Sequence, residues 1–126
     1  MSIEGAVFNF IKTNVPLISN RIYAAYAPQA AAKPYIVFMK VSAPREYYME
    51  GPQDIVRARF QFSVYATGYS SCKAVVKELQ DALSGFSGAM GTVSVPGAFY
   101  DNEQDAYEED TGLFHCPVDY FIWHKE

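Results

Sequence analysis

The sequence predicts an α+β fold, in which two helices pack on one face of a mainly antiparallel sheet of four or five strands. Residues 56–66, "VRARFQFSVYA", alternate apolar and polar side chains without a break, as in a strand with one buried face. Two other segments repeat apolar residues at helical spacing. The elements follow in the order α-β-β-β-α-β-β, and two helices on one sheet face would bury every apolar stripe.

A chain of 126 residues is typical of one domain, and we assign residues 1–126 to a single unit. About two-thirds of the unfolded surface is buried at this size, enough for one core. Aromatic residues make up 16% of the chain, with ten tyrosines. This excess indicates either a binding surface or a tyrosine-rich core.

The first helix is predicted to begin after Ser2, which can cap it, and to end before Pro16. Its apolar positions recur at helical spacing: Ile3, Ala6, Val7, Phe10 and Ile11. Residues 17–26 are compatible with either helix or strand, and residues 27–33 form an alanine-rich connector.

Three strands are expected next. Residues 35–42 are apolar and β-branched, which favours a buried strand. Tyr47 and Tyr48 fall in a short strand, and the alternating strand follows. Its inward face is Val56, Ala58, Phe60, Phe62 and Val64, and its outward face is Arg57, Arg59, Gln61, Ser63 and Tyr65.

The second helix is predicted to be capped by Ser70 and to end at Gly85. Its apolar stripe is Val75, Val76, Leu79, Ala82, Leu83 and Phe86. The segment "GTVSVPGAFYDN" is then predicted to form a strand interrupted by Pro96 and Gly97, which indicates an edge strand or a bulge. The last strand begins at Leu113 and runs almost to the terminus.

Charge is concentrated in one segment. The net charge is −4, and residues 101–110, "DNEQDAYEED", hold six carboxylates and no base. We expect an exposed loop that faces a partner, because like charges resist burial. A calcium loop is disfavoured, since Ala106 and Gly112 stand where glycine and a bidentate glutamate are needed.

The remaining candidate sites are weak. His115 and His124 should point to opposite faces of one strand and cannot share a metal. Cys72 and Cys116 indicate free thiols in a reducing compartment. "GFSGAMG" resembles a phosphate loop but follows a helix, whereas such loops precede one. We therefore predict no metal, no cofactor, no catalytic residue and no enzymatic activity.

Membrane and nucleic-acid roles are disfavoured as well. The stretch "MSIEGAVFNF" lacks the basic start of a secretory signal, and no apolar run reaches transmembrane length. The two outward arginines with Tyr65 could bind a nucleic acid strand, but the net negative charge opposes this. The main alternative function is a small-molecule-binding or enzymatic α+β domain with a pocket between sheet and helices.

Several segments together resemble the small tail-completion, or tail-terminator, proteins of tailed bacteriophages and prophages. These are "NRIYAAYAPQ", "KPYIVFMKVS", "EGP", "RARFQFSVYA", "KELQDALSGFSG" and the ending "VDYFIWHKE". They occur in family order and cover most of the chain past residue 20.

The resemblance implies a structural, non-enzymatic protein of the virion tail, assembled in the bacterial host cytoplasm. It implies a homo-oligomeric ring, a hexamer in this family, that caps the tail tube and stops its polymerisation. The implied partners are further copies of the chain, the tail tube protein and the head-proximal connector or stopper protein. Neither a membrane nor a specific nucleic acid is implied.

A head-to-tail ring needs two different patches on each subunit. We predict that the outward face with its arginines and tyrosines meets a neighbouring subunit or lines the ring, and that the acidic segment docks to the tube or the connector. The predicted subunit or partner interface residues are Arg45, Tyr47, Tyr48, Arg57, Arg59, Tyr65, Asp101, Glu103, Asp105, Glu108, Glu109 and Asp110.

Overall fold

The computed structural model describes residues 2–28, 31–42, 45–48 and 51–125, without the side chains of 45–48 and 51–54. Its helices are α1 (Ile3–Asn14), a short 3-10 helix (Pro16–Ile18) and α2 (Tyr69–Leu83). Its strands are β1 (Ile22–Ala24), β2 (Tyr35–Ser42), β3 (Arg45–Tyr48), β4 (Gly51–Ala66), β5 (Gly88–Met90), β6 (Val93–Val95), β7 (Gly97–Glu103), β8 (Ala106–Glu108) and β9 (Leu113–Lys125).

One sheet dominates the molecule, and its main path has the order β1-β2-β4-β9-β7. The short strands β3 and β8 pair with β4 and β9 outside this path. All pairings in this sheet are antiparallel except β1 with β2. The α+β fold and the element order are therefore confirmed, with short strands added to the predicted ones.

The core lies between this sheet and a layer formed by α1, α2 and the β5–β6 hairpin. The inward residues of β4 are buried, as predicted, and Phe60 and Phe62 are fully enclosed. Leu79 and Leu83 of α2 are equally buried and belong to the same cluster. The opposite face of the sheet carries no helix within the described residues, and we call it the outer face.

The helix ends show how local sequence sets the boundaries. Ser2 caps α1 as predicted, since its hydroxyl accepts a hydrogen bond from the Gly5 amide at 3.0 Å. The prediction that Ser70 caps α2 was wrong, because the helix begins at Tyr69 and its cap is Gly68. Gly85 follows the helix with φ of 77°, a left-handed conformation that favours glycine.

The prediction of a loop for residues 101–110 was also wrong. Residues up to Glu103 continue β7, and β8 then pairs with the start of β9. The mutual repulsion of the carboxylates is offset by strand hydrogen bonds and by basic side chains described below. No helix among the described residues is long and apolar enough to cross a membrane.

Candidate subunit interface

The outer face is built mainly by the antiparallel pair of β4 and β9. Arg57, Arg59 and Tyr65 of β4 lie opposite Trp123, Phe121 and His115 of β9. All of these side chains are partly exposed. The pairing therefore gathers aromatic and basic groups on the uncovered side of the sheet.

A row of stacked rings crosses the outer face at one end. Tyr65 stacks on His115 with centroids 4.3 Å apart and an interplanar angle of 7°. On its other side Tyr65 stacks on Tyr35 at 5.1 Å, and Tyr35 meets the edge of Tyr23 at 5.9 Å. These four rings, from strands β1, β2, β4 and β9, form what we call the ring row.

Burial shifts the pKa of three members of the ring row. Desolvation raises the pKa of Tyr65 and of Tyr35, and the nearby Glu108 carboxylate adds to both shifts. Desolvation lowers the pKa of His115 below its usual 6.5. Tyr65, Tyr35 and His115 therefore favour their uncharged forms, which suits burial against another apolar surface.

Arg59 is neutralised inside the subunit. Its guanidinium donates to the Asp119 carboxylate at 2.6 Å and lies 3.6 Å from Asp101. The Asp119 hydrogen bond, followed by Coulombic attraction, raises the pKa of Arg59. Asp119 itself is buried, so this pair stabilises the sheet surface more than it offers a free charge.

Arg57 has a different environment. Its guanidinium carbon lies 5.2 Å from the Phe121 ring centroid and 5.9 Å from that of Trp123. Such cation–π contacts hold the planar group against the sheet. Its Nε is buried and has no hydrogen-bond acceptor among the described residues.

Part of the acidic segment turns toward α2 instead of the outer face. Lys73 donates to Glu103 at 2.8 Å and to Asp105 at 3.0 Å. Tyr100 and Tyr69 donate to the same two carboxylates, each at 2.9 Å. We call Lys73, Glu103 and Asp105 the lysine cluster.

Cys116 completes a possible ligand set with the lysine cluster. One ligand atom each from Glu103, Asp105 and Cys116 lies within 4.8 Å of the others. The Lys73 ammonium, however, already bonds both carboxylates, and burial raises the pKa of the Cys116 thiol to about 12. The arrangement is therefore a hydrogen-bonded ion cluster that joins helix and sheet.

The rest of the acidic segment lies at the turn between β8 and β9. Thr111 donates to Glu108 at 3.2 Å, whereas Glu109 and Asp110 are exposed. Beside this turn an open groove of about 440 Å³ reaches the ring row. Tyr26, Pro28, Lys33, Tyr35, Tyr65, Glu108 and Leu113 are among its lining residues.

The predicted interface residues thus separate into groups. Arg57, Arg59 and Tyr65 share the outer face, and Asp101 joins Arg59 there. Glu103 and Asp105 belong to the lysine cluster, and the remaining acids lie at the turn. Arg45, Tyr47 and Tyr48 lie in β3, but their side chains fall outside the described residues.

Sequence reasoning missed Asp119, Lys73 and the stacking of His115. An aspartate in the apolar run "CPVDYFIW" was the available signal for Asp119, since a charge in a strand needs a partner. The histidine prediction was correct: His115 lies on the outer face, and His124 pairs with inward Val56 and is buried.

Comparisons with known proteins identify a matching family model and a similar fold. The family model described as Tail completion protein gp17 matches residues 10–125 of this chain. A chain in the solved structure titled "Virion of native gene transfer agent (GTA) particle" superposes with a TM-score of 0.81. That match has 16% sequence identity and covers 99% of this chain and 96% of the other, so it concerns the fold. The search of curated proteins found no match.

Proposed function

This chain belongs to the Tail completion protein gp17 family, and we propose that it forms a ring that closes the end of the phage tail tube. Family membership makes it a structural component of the virion tail. The ring, its hexameric size and its contacts with the tube and the head-proximal connector are the proposal. Such a ring would stop tube polymerisation and present a surface for joining to the head.

The composition of the outer face is the observation that supports this proposal. It combines the ring row with Arg57 on Phe121 and Trp123, and helices cover the opposite side of the sheet. Aromatic and arginine side chains are enriched in the buried centres of protein interfaces. A neighbouring subunit would bury these rings, which supplies more free energy than exposed ion pairs do.

A small-molecule or enzymatic role has less support. The groove beside the ring row is open, and Lys33, Glu108 and Thr111 line it together with aromatic and apolar residues. It also lies on the outer face, where the proposed ring would cover or narrow it. We therefore propose that the protein has no catalytic activity and that the groove belongs to the contact surface.

Imaging tails from phage that lack this protein tests the proposal. Tails of uncontrolled length that do not join heads are expected. Normal tails attached to heads would contradict a role in termination. The second measurement is the mass of the purified protein in solution, alone and mixed with tail tube protein. We expect the mass of a ring at least when tube protein is present.

A further inference from the structure

The outer face has a basic end. Arg57 lies against Phe121 and Trp123, and the exposed Lys125 follows two residues after Trp123 on β9. No carboxylate in the described part of the chain forms an ion pair with either cation. Because the two rings already restrict the Arg57 side chain, binding a carboxylate would cost little further conformational entropy.

The same sheet has an acidic end. Glu109 and Asp110 are exposed at the turn between β8 and β9. Neither forms an ion pair with a basic group of the described residues. They differ in this respect from Glu103 and Asp105, both of which pair with Lys73.

The two ends are too far apart to meet within one subunit. Glu108, next to the turn, pairs with Leu113 at the start of β9, whereas Arg57 pairs with Trp123 near its end. Ten residues of strand separate these positions, or about 33 Å at roughly 3.3 Å per residue. The basic and acidic ends can therefore satisfy each other only between molecules.

We infer that Arg57 of one subunit binds the Glu109–Asp110 turn of a second copy of this chain. This inference rests on the proposed ring and names the two patches that meet in it. Complementary patches at opposite ends of one sheet give a head-to-tail contact, which closes into a ring when the rotation permits. The rings beneath Arg57 would shield the contact from water and strengthen it beyond an exposed ion pair.

Reciprocal charge reversal tests the pairing. We would compare four proteins by sedimentation at low and high sodium chloride: wild type, Arg57→Glu, the double variant Glu109→Arg with Asp110→Arg, and all three changes together. Each reversal alone should weaken association at least about tenfold at low salt, because like charges then face each other. The combined variant should recover most of the wild-type association.

Matched controls separate this contact from general charge effects and from misfolding. Lys77→Glu changes the net charge as Arg57→Glu does, but on the exposed side of α2, and should leave assembly unchanged. Arg59 is left intact, because its loss would leave the buried Asp119 carboxylate without its charged partner. If circular dichroism shows that Arg57→Glu is unfolded, Arg57→Gln replaces it and should still weaken association.

The outcomes distinguish this inference from the proposed function. Normal assembly of Arg57→Glu, or of Arg57→Gln where that variant replaces it, would overturn the inference and leave the ring intact. A combined variant that assembles no better than the single reversals would do the same, and would favour carboxylates of the tail tube protein as the partner of Arg57. A wild-type protein that stays a single subunit, alone and with tube protein, would overturn both ring and pairing.

Discussion

Lys73 has contacts in the structure that its position in the sequence did not indicate. It lies on α2 and bonds Glu103 and Asp105, so one ammonium links the helix to β7 and to the segment before β8. The acidic segment looked like a free, self-repelling loop because its neutralising cation lies 30 residues earlier in the chain. Pairings at this separation depend on tertiary packing, which a local pattern does not encode.

Replacing Lys73 with methionine should destabilise the protein by about 1–2 kcal/mol, because two carboxylates lose their charged partner. The methionine keeps most of the apolar stem. Denaturant unfolding followed by circular dichroism measures the loss. Lys77→Met is the matched control, since its pair with Asp81 is exposed and should contribute about 0.5 kcal/mol or less. Equal midpoints for the two variants would show that the lysine cluster adds no stability.

The lysine cluster also predicts how stability depends on pH. The hydrogen bond from Lys73 is the largest cause that lowers the pKa of Glu103 below 4.5 and of Asp105 below 3.8. A lowered folded-state pKa gives stability that is present above the unfolded value and lost as pH falls through the folded value. Wild type should therefore lose more unfolding free energy between about pH 5 and pH 2 than Lys73→Met does. Urea titrations of both proteins across this range check the difference, and parallel curves would contradict it.

At the scale of elements, strand β4 is the part that sequence predicted best. Its strict alternation fixes which side chains face the helical layer, and the structure buries each predicted inward residue. Such a pattern is informative because a shift of one residue would bury arginines and expose phenylalanines. The short strands β5 and β8 escaped prediction, since three residues are too few to show a period.

The core face of β4 gives a stability prediction. Phe60 is fully buried, and Phe60→Ala should cost about 3–5 kcal/mol, a large part of the stability of a domain. Phe99→Ala is the matched control, because that side chain is 53% exposed on β7 and should cost about 1 kcal/mol or less. Thermal unfolding of both variants measures the contrast. An unchanged melting temperature for Phe60→Ala would contradict the face assignment.

The turn between β8 and β9 gives a prediction about docking. Replacing Glu108, Glu109 and Asp110 with glutamine, glutamine and asparagine should leave the fold intact, since the lysine cluster is not touched. Assembly of the ring or its joining to the tube should weaken, and the effect should be larger at low salt, because the substitutions remove an electrostatic attraction. Asp105 is kept, because its replacement would confound docking with stability. Sedimentation and tail-joining assays measure the effect, and full assembly would make the turn a solubility feature alone.

At the scale of the whole molecule, sequence predicted a two-layer domain and its family, while the chemistry of the outer face needed the pairing of strands. Alternation showed that Arg57, Arg59 and Tyr65 share one side. It could not show which residues of β9 lie opposite them, because register depends on how the two strands align across about 60 residues of chain. That alignment decides that Arg59 is neutralised by Asp119 and that Arg57 lies on aromatic rings.

The ring row gives the last prediction, which concerns assembly of the whole protein. Tyr65→Ala removes the stacks with Tyr35 and His115 and should weaken the proposed ring by lowering its apolar contact area. The lost aromatic contacts carry no net charge. The ratio of the association constant at low salt to that at high salt should therefore stay close to the wild-type ratio. Arg57→Gln should instead reduce this ratio, since it removes a charge.

Tyr69→Ala is the control for Tyr65→Ala, because Tyr69 is half exposed on α2, away from the outer face. Sedimentation of all four proteins at two salt concentrations, with folding checked by circular dichroism, separates the contributions. If Tyr65→Ala sediments like wild type while Tyr69→Ala does not, the ring forms through the helical layer. The outer face would then be a solvated sheet surface, and its stacked rings would serve only to stabilise the subunit.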